Sequence, residues 1–372
     1  MLWIFYILPL VYCQQVFNFN TDLHDYYVNG QSMLEFHKNL VDIPSVKPSE
    51  LAVAQYIEQF LSSNGLTVEL HKAAENRYNV YAFAGDERNS KILLTSHIDT
   101  VPPFFPYSID GSRIYGRGSC DAKASVATQV FTYLSMLQSG DVVPGDVSLL
   151  FVVGEETDGV GMKSVGHSYN ASWEIGIFGE PTELKLGVGH KGILMCYVNV
   201  EGEASHSGYP ELGISATEIL LPVLNDFLTS DWPVDELLGP TTLNIAQISA
   251  GVAANVIPPF ANASIFFRVS SDLEALDKKV RSKLDGIEHL SYDIPFESAP
   301  VYLDYEVPGF ESIILAYATD IPNLYHHNLT RRYLYGPGTI HVAHSDHEYV
   351  ESKDLVDAVD GYKKLIKYNL EY

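Results

Sequence analysis

Cysteine is almost missing from this chain. Three occur in 372 residues, Cys13, Cys120 and Cys196. If Cys13 leaves with a cleaved leader, the remaining two make no disulfide framework. Both are expected unpaired, and nothing has the Cys/His spacing of a structural zinc module. Basic residues are short as well: 23 Lys and Arg stand against 47 Asp and Glu, a formal charge of -24. That balance argues against nucleic acid and an anionic membrane surface as partners, since both need a basic patch. The apolar N-terminal run, Met1 to Cys13, falls short of the roughly 20 residues that a membrane span requires, so no membrane anchor is expected. No short repeat or low-complexity segment is visible. No Gly-x-Ser-x-Gly elbow occurs either, which leaves a serine hydrolase without its usual nucleophile turn.

What the N-terminus does offer is the core of a secretory signal peptide, residues 1–13, closed by polar Gln14-Gln15. It departs from the usual pattern in one respect, because no Lys or Arg precedes Lys38. Three Asn-x-Ser/Thr sequons, at Asn170, Asn262 and Asn328, fit a secreted glycoprotein. The expectation is an extracellular protein, with the vacuole lumen as the alternative.

Hydrophobic residues at 46% and charged ones at 19% are ordinary for a globular chain, and the length suffices for two domains. Leu51, Ala54, Ile57, Phe60 and Leu61 carry helical spacing, which Asn64-Gly65 stops. Strands are expected at 79–83 and 91–96, and a helix from Ala122 to Gln138. The apolar runs Val147–Val153 and Ile175–Phe178 fit strands buried on both faces, as in a parallel sheet between helices. A last helix runs from Ser352 to about Tyr368. Between Gly187 and Tyr292 the order becomes β-α-β-β-α, which suggests an inserted ferredoxin-like unit. The chain thus divides into a first catalytic part at 14–186, an insert at 187–293 and a second catalytic part at 294–372. The segment after 293, with Pro295, Pro300, Pro308 and Pro322, resists assignment.

Acids and a histidine follow the strand-like runs. They are Ser96-His97-Ile98-Asp99, Gly118-Ser119-Cys120-Asp121, Gly154-Glu155-Glu156 and Gly179-Glu180-Pro181, with Ala343-His344-Ser345-Asp346-His347-Glu348-Tyr349 near the C-terminus. Ligands bind at the carboxyl ends of strands in open α/β sheets. Imidazole with carboxylate oxygen is a donor mixture suited to zinc or a similar divalent ion. Asp99 can accept the second ring N–H of His97. Adjacent Glu155 and Glu156 diverge after a strand, so one can hold metal while the other serves as general base.

These blocks, in this order, resemble the di-zinc family of acetylornithine deacetylase, succinyl-diaminopimelate desuccinylase, aminoacylase and glutamate-releasing carboxypeptidases. The likeness is greatest to its secreted fungal carboxypeptidase-like branch and runs from about Glu35 to Tyr372. It implies a zinc-exopeptidase-like three-layer α/β/α catalytic domain with an inserted ferredoxin-like lid or dimerisation domain. It further implies two zinc ions per chain, with cobalt as an alternative. His97 and Glu180 would hold one, Glu156 and His344 the other, and Asp121 would bridge them. Asp99 would orient His97, and Glu155 would be the base. Ala204-Ser205-His206-Ser207-Gly208 resembles the segment whose histidine reaches a neighbouring active site, so His206 would stabilise the oxyanion and a homodimer is implied. Asn255 and Arg268 resemble residues that hold a substrate carboxylate. Ala124 stands where the family has glycine. The resemblance implies a metallo-exopeptidase acting on small peptides, or alternatively an N-acyl-amino-acid deacylase. A non-catalytic scaffold would have lost one of these positions.

Overall fold

The computed structural model describes residues 23–324 and 327–371; the expected signal peptide lies outside them. The chain opens with α1 (Met33–Asp42) and α2 (Leu51–Ser63), followed by β1 (Thr67–Ala74), β2 (Arg77–Phe83) and β3 (Ile92–His97). Next come α3 (Lys123–Ser139), β4 (Val147–Val152), α4 (Val160–Ser168) and β5 (Ile175–Phe178). The insert holds β6 (Gly192–Glu201), α5 (Ala216–Thr229), β7 (Thr242–Ala250), β8 (Phe260–Val269), α6 (Leu273–Leu284) and β9 (Leu290–Ser298). The chain then returns through β10 (Arg331–Leu334) to α7 (Ser352–Leu370).

The main sheet has the order β10-β5-β3-β4-β2-β1. Strands β3, β4, β5 and β10 run parallel, while β2 runs antiparallel to both of its neighbours, β4 and β1, so the sheet is mixed. Its side chains alternate faces, as the pleat requires. Val80, Leu94, Leu149 and Phe151 join the core beneath α1, α2, α3 and α7. Tyr81, Leu93, Leu150 and Val152 face the other way, onto Met162 and Val165 of α4. The parallel strands also end together. His97 stands opposite Val152, Thr95 opposite Phe178, and Phe178 opposite Leu334. Whatever follows each strand therefore emerges at one rim.

In the insert, the sheet order β7-β8-β6-β9 is fully antiparallel, with α5 and α6 on one face. This is the ferredoxin-like arrangement. Its fourth strand runs to Ser298, past the expected boundary at 293. Pro295 lies inside it, which is tolerable because β9 pairs only with β6 and forms an edge. A small sheet connects the two units, with Leu186–His190 lying between Val301–Tyr302 and Ser312–Leu315. Cys120 and Cys196 are buried and unpaired. Among the described residues no helix is long and apolar enough to cross a membrane.

Candidate active site

His97 is the last residue of β3 and is almost wholly buried. Its Nδ1 lies 3.0 Å from the Asp99 carbonyl oxygen and 3.6 Å from Asp99 Oδ1. Its Nε2 faces inward, 3.1 Å from Asp121 Oδ1 and 3.8 Å from Glu180 Oε1. The second carboxylate oxygen of Asp121 faces His344 Nε2 at 3.4 Å, and that same nitrogen lies 2.9 Å from Glu156 Oε2. Asp121 thus stands between two donor groups, His97 with Glu180 on one side and His344 with Glu156 on the other. All five expected ligands converge.

Local structure explains the placement. After β4 the chain turns at Gly154, whose φ of 81° suits glycine, and a Cβ there would meet Arg77 Nη2 at 2.6 Å. The Asp99 carboxylate then accepts the Glu155 amide on Oδ1 at 3.1 Å and the Glu156 amide on Oδ2 at 3.2 Å. Asp99 therefore holds the turn carrying both glutamates as well as flanking His97. Asp121 is held in turn by Glu348, whose Oε1 accepts the amides of Cys120 and Asp121 at 3.0 and 3.1 Å. The other oxygen of Glu348 takes the buried Arg117 guanidinium at 2.8 Å. At the start of α3, Lys123 Nζ donates to the carbonyls of Leu40 and Ile43, joining the Asp121 loop to the C-terminal end of α1. Ala124 packs without exposure in the first turn of α3. His344 adopts φ of +62°, a conformation rare outside glycine and typical of constrained functional positions.

The electrostatics are those of crowded carboxylates. Burial raises Glu155 and Glu180 well above the usual carboxylate range, and each is raised further by the neighbouring acids against the opposing pull of His97. Burial and the Asp121 charge raise Glu156 too. Asp121 behaves oppositely: burial works against its charge, but hydrogen bonds from His344 and His97 hold it below its ordinary value. His344 is pushed up to about 10 by its hydrogen bonds to Asp121 and Glu156. Burial opposes charge on His97, yet Glu180, Asp121 and Asp99 together hold it well above its usual value. Two imidazoles thus answer Asp121, Glu155, Glu156 and Glu180. That surplus of negative charge, in a mixed nitrogen and oxygen donor set, is what divalent cations would balance. Ligand atoms of His97, Asp121 and Glu156 lie within 4.8 Å of one another, so the residues fit a metal.

A cleft of about 610 Å³ opens over this rim, with the clustered acids on one wall and the open face of the insert's sheet on the other. Arg268 reaches into it from β8. Burial lowers its pKa, no carboxylate pairs with it among the described residues, and its guanidinium lies 5.0 Å over the Phe266 ring. His206 and Asn255 behave differently. They sit together in the insert, where the Asn255 carbonyl accepts the Ser207 amide at 3.0 Å, and both are exposed. Neither lines this cleft. His341, in a short 3-10 turn at Ile340–Val342, and His347, in the loop after it, are both exposed.

Sequence reasoning missed two further groups. Tyr317 lines the cleft and donates to the Pro181 carbonyl at 3.2 Å. Asp320, buried and raised to about 6 by burial and by nearby Asp99, leaves its Oδ2 without a hydrogen bond. No periodic pattern surrounds them; only the dipeptide Thr319-Asp320 beyond a short apolar run hinted at a strand end.

Residues 188–289 match the family described as peptidase dimerisation domain. A peptidase M20 domain-containing protein of Schizosaccharomyces pombe is 48% identical over 92% of this chain and 86% of its own length. A protein named a probable carboxypeptidase, from Aspergillus niger, is 41% identical over 91% of this chain and 90% of its own. Among solved structures, a tripeptidase of Staphylococcus aureus superposes with a TM-score of 0.77 at 20% identity, covering 91% of this chain and 98% of that one. An M20 family metallo-carboxypeptidase of Sulfolobus solfataricus gives 0.72 at 16% identity, covering 91% and 99%. At such identities the structural likeness speaks to the fold.

Proposed function

This chain belongs to the M20 peptidase family, hydrolases of amide bonds, and from that premise we propose that it is a secreted zinc-dependent exopeptidase that cleaves beside a free carboxylate. The observation that carries this reading is Arg268: a half-buried guanidinium without a carboxylate partner, in the same cleft as the convergent acids. Its planar fork matches a carboxylate in two parallel hydrogen bonds.

His97, Asp121, Glu156, Glu180 and His344 are the residues that would hold two zinc ions. Zinc so held supplies Lewis acidity toward a carbonyl oxygen and acidifies water. Glu155 moves the proton: its carboxylate takes one from the attacking water and returns it to the leaving amine nitrogen. Asp99 keeps Glu155 and Glu156 in place through their amides. His206 would steady the developing oxyanion. Because it lies outside its own chain's cleft, we read it and Asn255 as contributions to the cleft of a second copy, in keeping with the match to a dimerisation domain.

Removing the free carboxylate tests the reading. Peptides with an amidated C-terminus should show kcat/KM at least about 100-fold lower than the corresponding acids, since the half-buried Arg268 would lose its counter-charge. Equal cleavage of both forms would overturn the assignment of Arg268. A panel of dipeptides set against N-acetyl amino acids separates the peptidase from the deacylase.

Export rests on the N-terminal apolar run and on the sequons, of which Asn170 and Asn328 are exposed, whereas Asn262 lies part-covered within β8. Protein recovered from culture medium should begin at Gln14 and lose mass on glycosidase treatment. Retention of the intact N-terminus inside the cell would refute export.

A further inference from the structure

The face that the insert turns toward the catalytic wall has an ordered pattern. Alternate residues of β6 and β8 pack against α5 and α6, among them Leu194, Cys196, Ile265 and Phe267. The residues between them point into the cleft. Ile193 stands opposite both Arg268 and Ser298, and Met195 stands opposite both Phe266 and Phe296. This produces two parallel rows, Arg268-Ile193-Ser298 and Phe266-Met195-Phe296, separated by two residues along the strand, roughly 7 Å. All six side chains line the cleft. Phe296 is 45% exposed, so a large apolar surface remains uncovered at the end of the second row, two strands over from Arg268.

We propose that the row Phe266-Met195-Phe296 receives the side chain of the carboxylate-bearing substrate residue, so that the enzyme selects large apolar residues such as Leu, Met or Phe there. The proposal rests on the reading of Arg268 given above. A carboxylate held on Arg268 fixes the α-carbon one bond away, and a side chain of four or more heavy atoms spans the distance to the neighbouring row. Burying it there removes apolar surface of both partners from water. On the opposite wall Asp158 is already paired with Lys47 and Arg77, so a substrate Asp or Glu is disfavoured because the apolar row strips its charge of water and offers it no cation. Lys163, which also lines the cleft, is directed to the Asp158 carbonyl at 2.7 Å and does not stand beside Arg268 in either row.

The test measures kcat/KM on the zinc-loaded, full-length protein for two series, Ala-X and N-acetyl-X, with X as Ala, Leu, Phe or Glu. In whichever series is cleaved, Leu and Phe should exceed Ala by on the order of 50-fold, and Glu should be poorest. Met195→Arg should raise Glu relative to Leu at least ten-fold. Phe296→Ala, at an exposed position that folding tolerates, should lower the Leu to Ala ratio about five-fold. Equal rates for Ala and Leu, a preference for Glu, or variants that leave the ranking untouched would each overturn the apolar row. None of these results would affect the need for a free carboxylate. Cleavage of amidated substrates would instead remove the Arg268 reading on which the proposal stands.

Discussion

Glu155→Gln should lower kcat about a thousand-fold or more while KM, metal content and thermal stability stay near those of the parent protein. The substitution keeps the side chain's shape and removes its capacity to take up a proton. Its backbone is fixed independently, because the Glu155 amide is bound by Asp99 Oδ1. The side chain lines both the cleft and a small recess that also includes His97 and Glu180. Glu156, Glu180 and Asp121 each face a histidine nitrogen, whereas Glu155 makes no such ion pair among the described residues. Those three are placed to hold cations; Glu155 is placed to handle a proton. Assay of initial rates, with metal analysis on the same sample, decides the matter. Retention of most activity would mean that the base lies elsewhere, and loss of metal would mean that Glu155 is a ligand.

The parts of this structure legible in the sequence are those where one local pattern dictates the outcome. Strands β3, β4 and β5 read clearly because both of their faces are buried, so apolar residues run without interruption up to the acids that follow. Their parallel ends then bring His97, Glu155, Glu156 and Glu180 to one rim. Helix α1 carries a local mark of its own: Ser32 accepts the Glu35 amide, the Ser-x-x-Glu signature of a capped helix start. Other elements carry no such local mark. Strand β1 is half-buried at the sheet edge and mixes Glu, His and Lys among its apolar residues. Helix α4 contains Gly161 and Gly166, poor helix formers that are kept because Val153 and Asn323 backbone atoms lie too close for any Cβ. Pro295 disguised β9. The positions of His206 and Asn255 depend on how two domains are disposed, which no spacing in the chain encodes. Asp320 reaches the site through the connecting sheet, where Thr319 lies 3.0 Å from His190 Nε2.

Asp121→Asn should reduce bound zinc from two ions to at most one and lower kcat/KM by about a thousand-fold or more. The geometry supplies the reason. One carboxylate oxygen is directed at His97 and the other at His344, so this single side chain belongs to both donor groups. An amide keeps one acceptor and turns an N–H donor toward the other group, where it opposes a cation. The loop itself should stay in place, because Glu348 holds the Cys120 and Asp121 amides and pairs with Arg117 whatever the side chain at 121. Circular dichroism should therefore match the parent protein, which separates loss of metal from loss of fold. The parent protein should also gain thermal stability when zinc is restored after chelation, by an amount that rises with free zinc, and the variant should gain less. A variant that keeps two ions and most of its activity would show that the two donor groups do not share Asp121, and the paired-metal reading would fail with it.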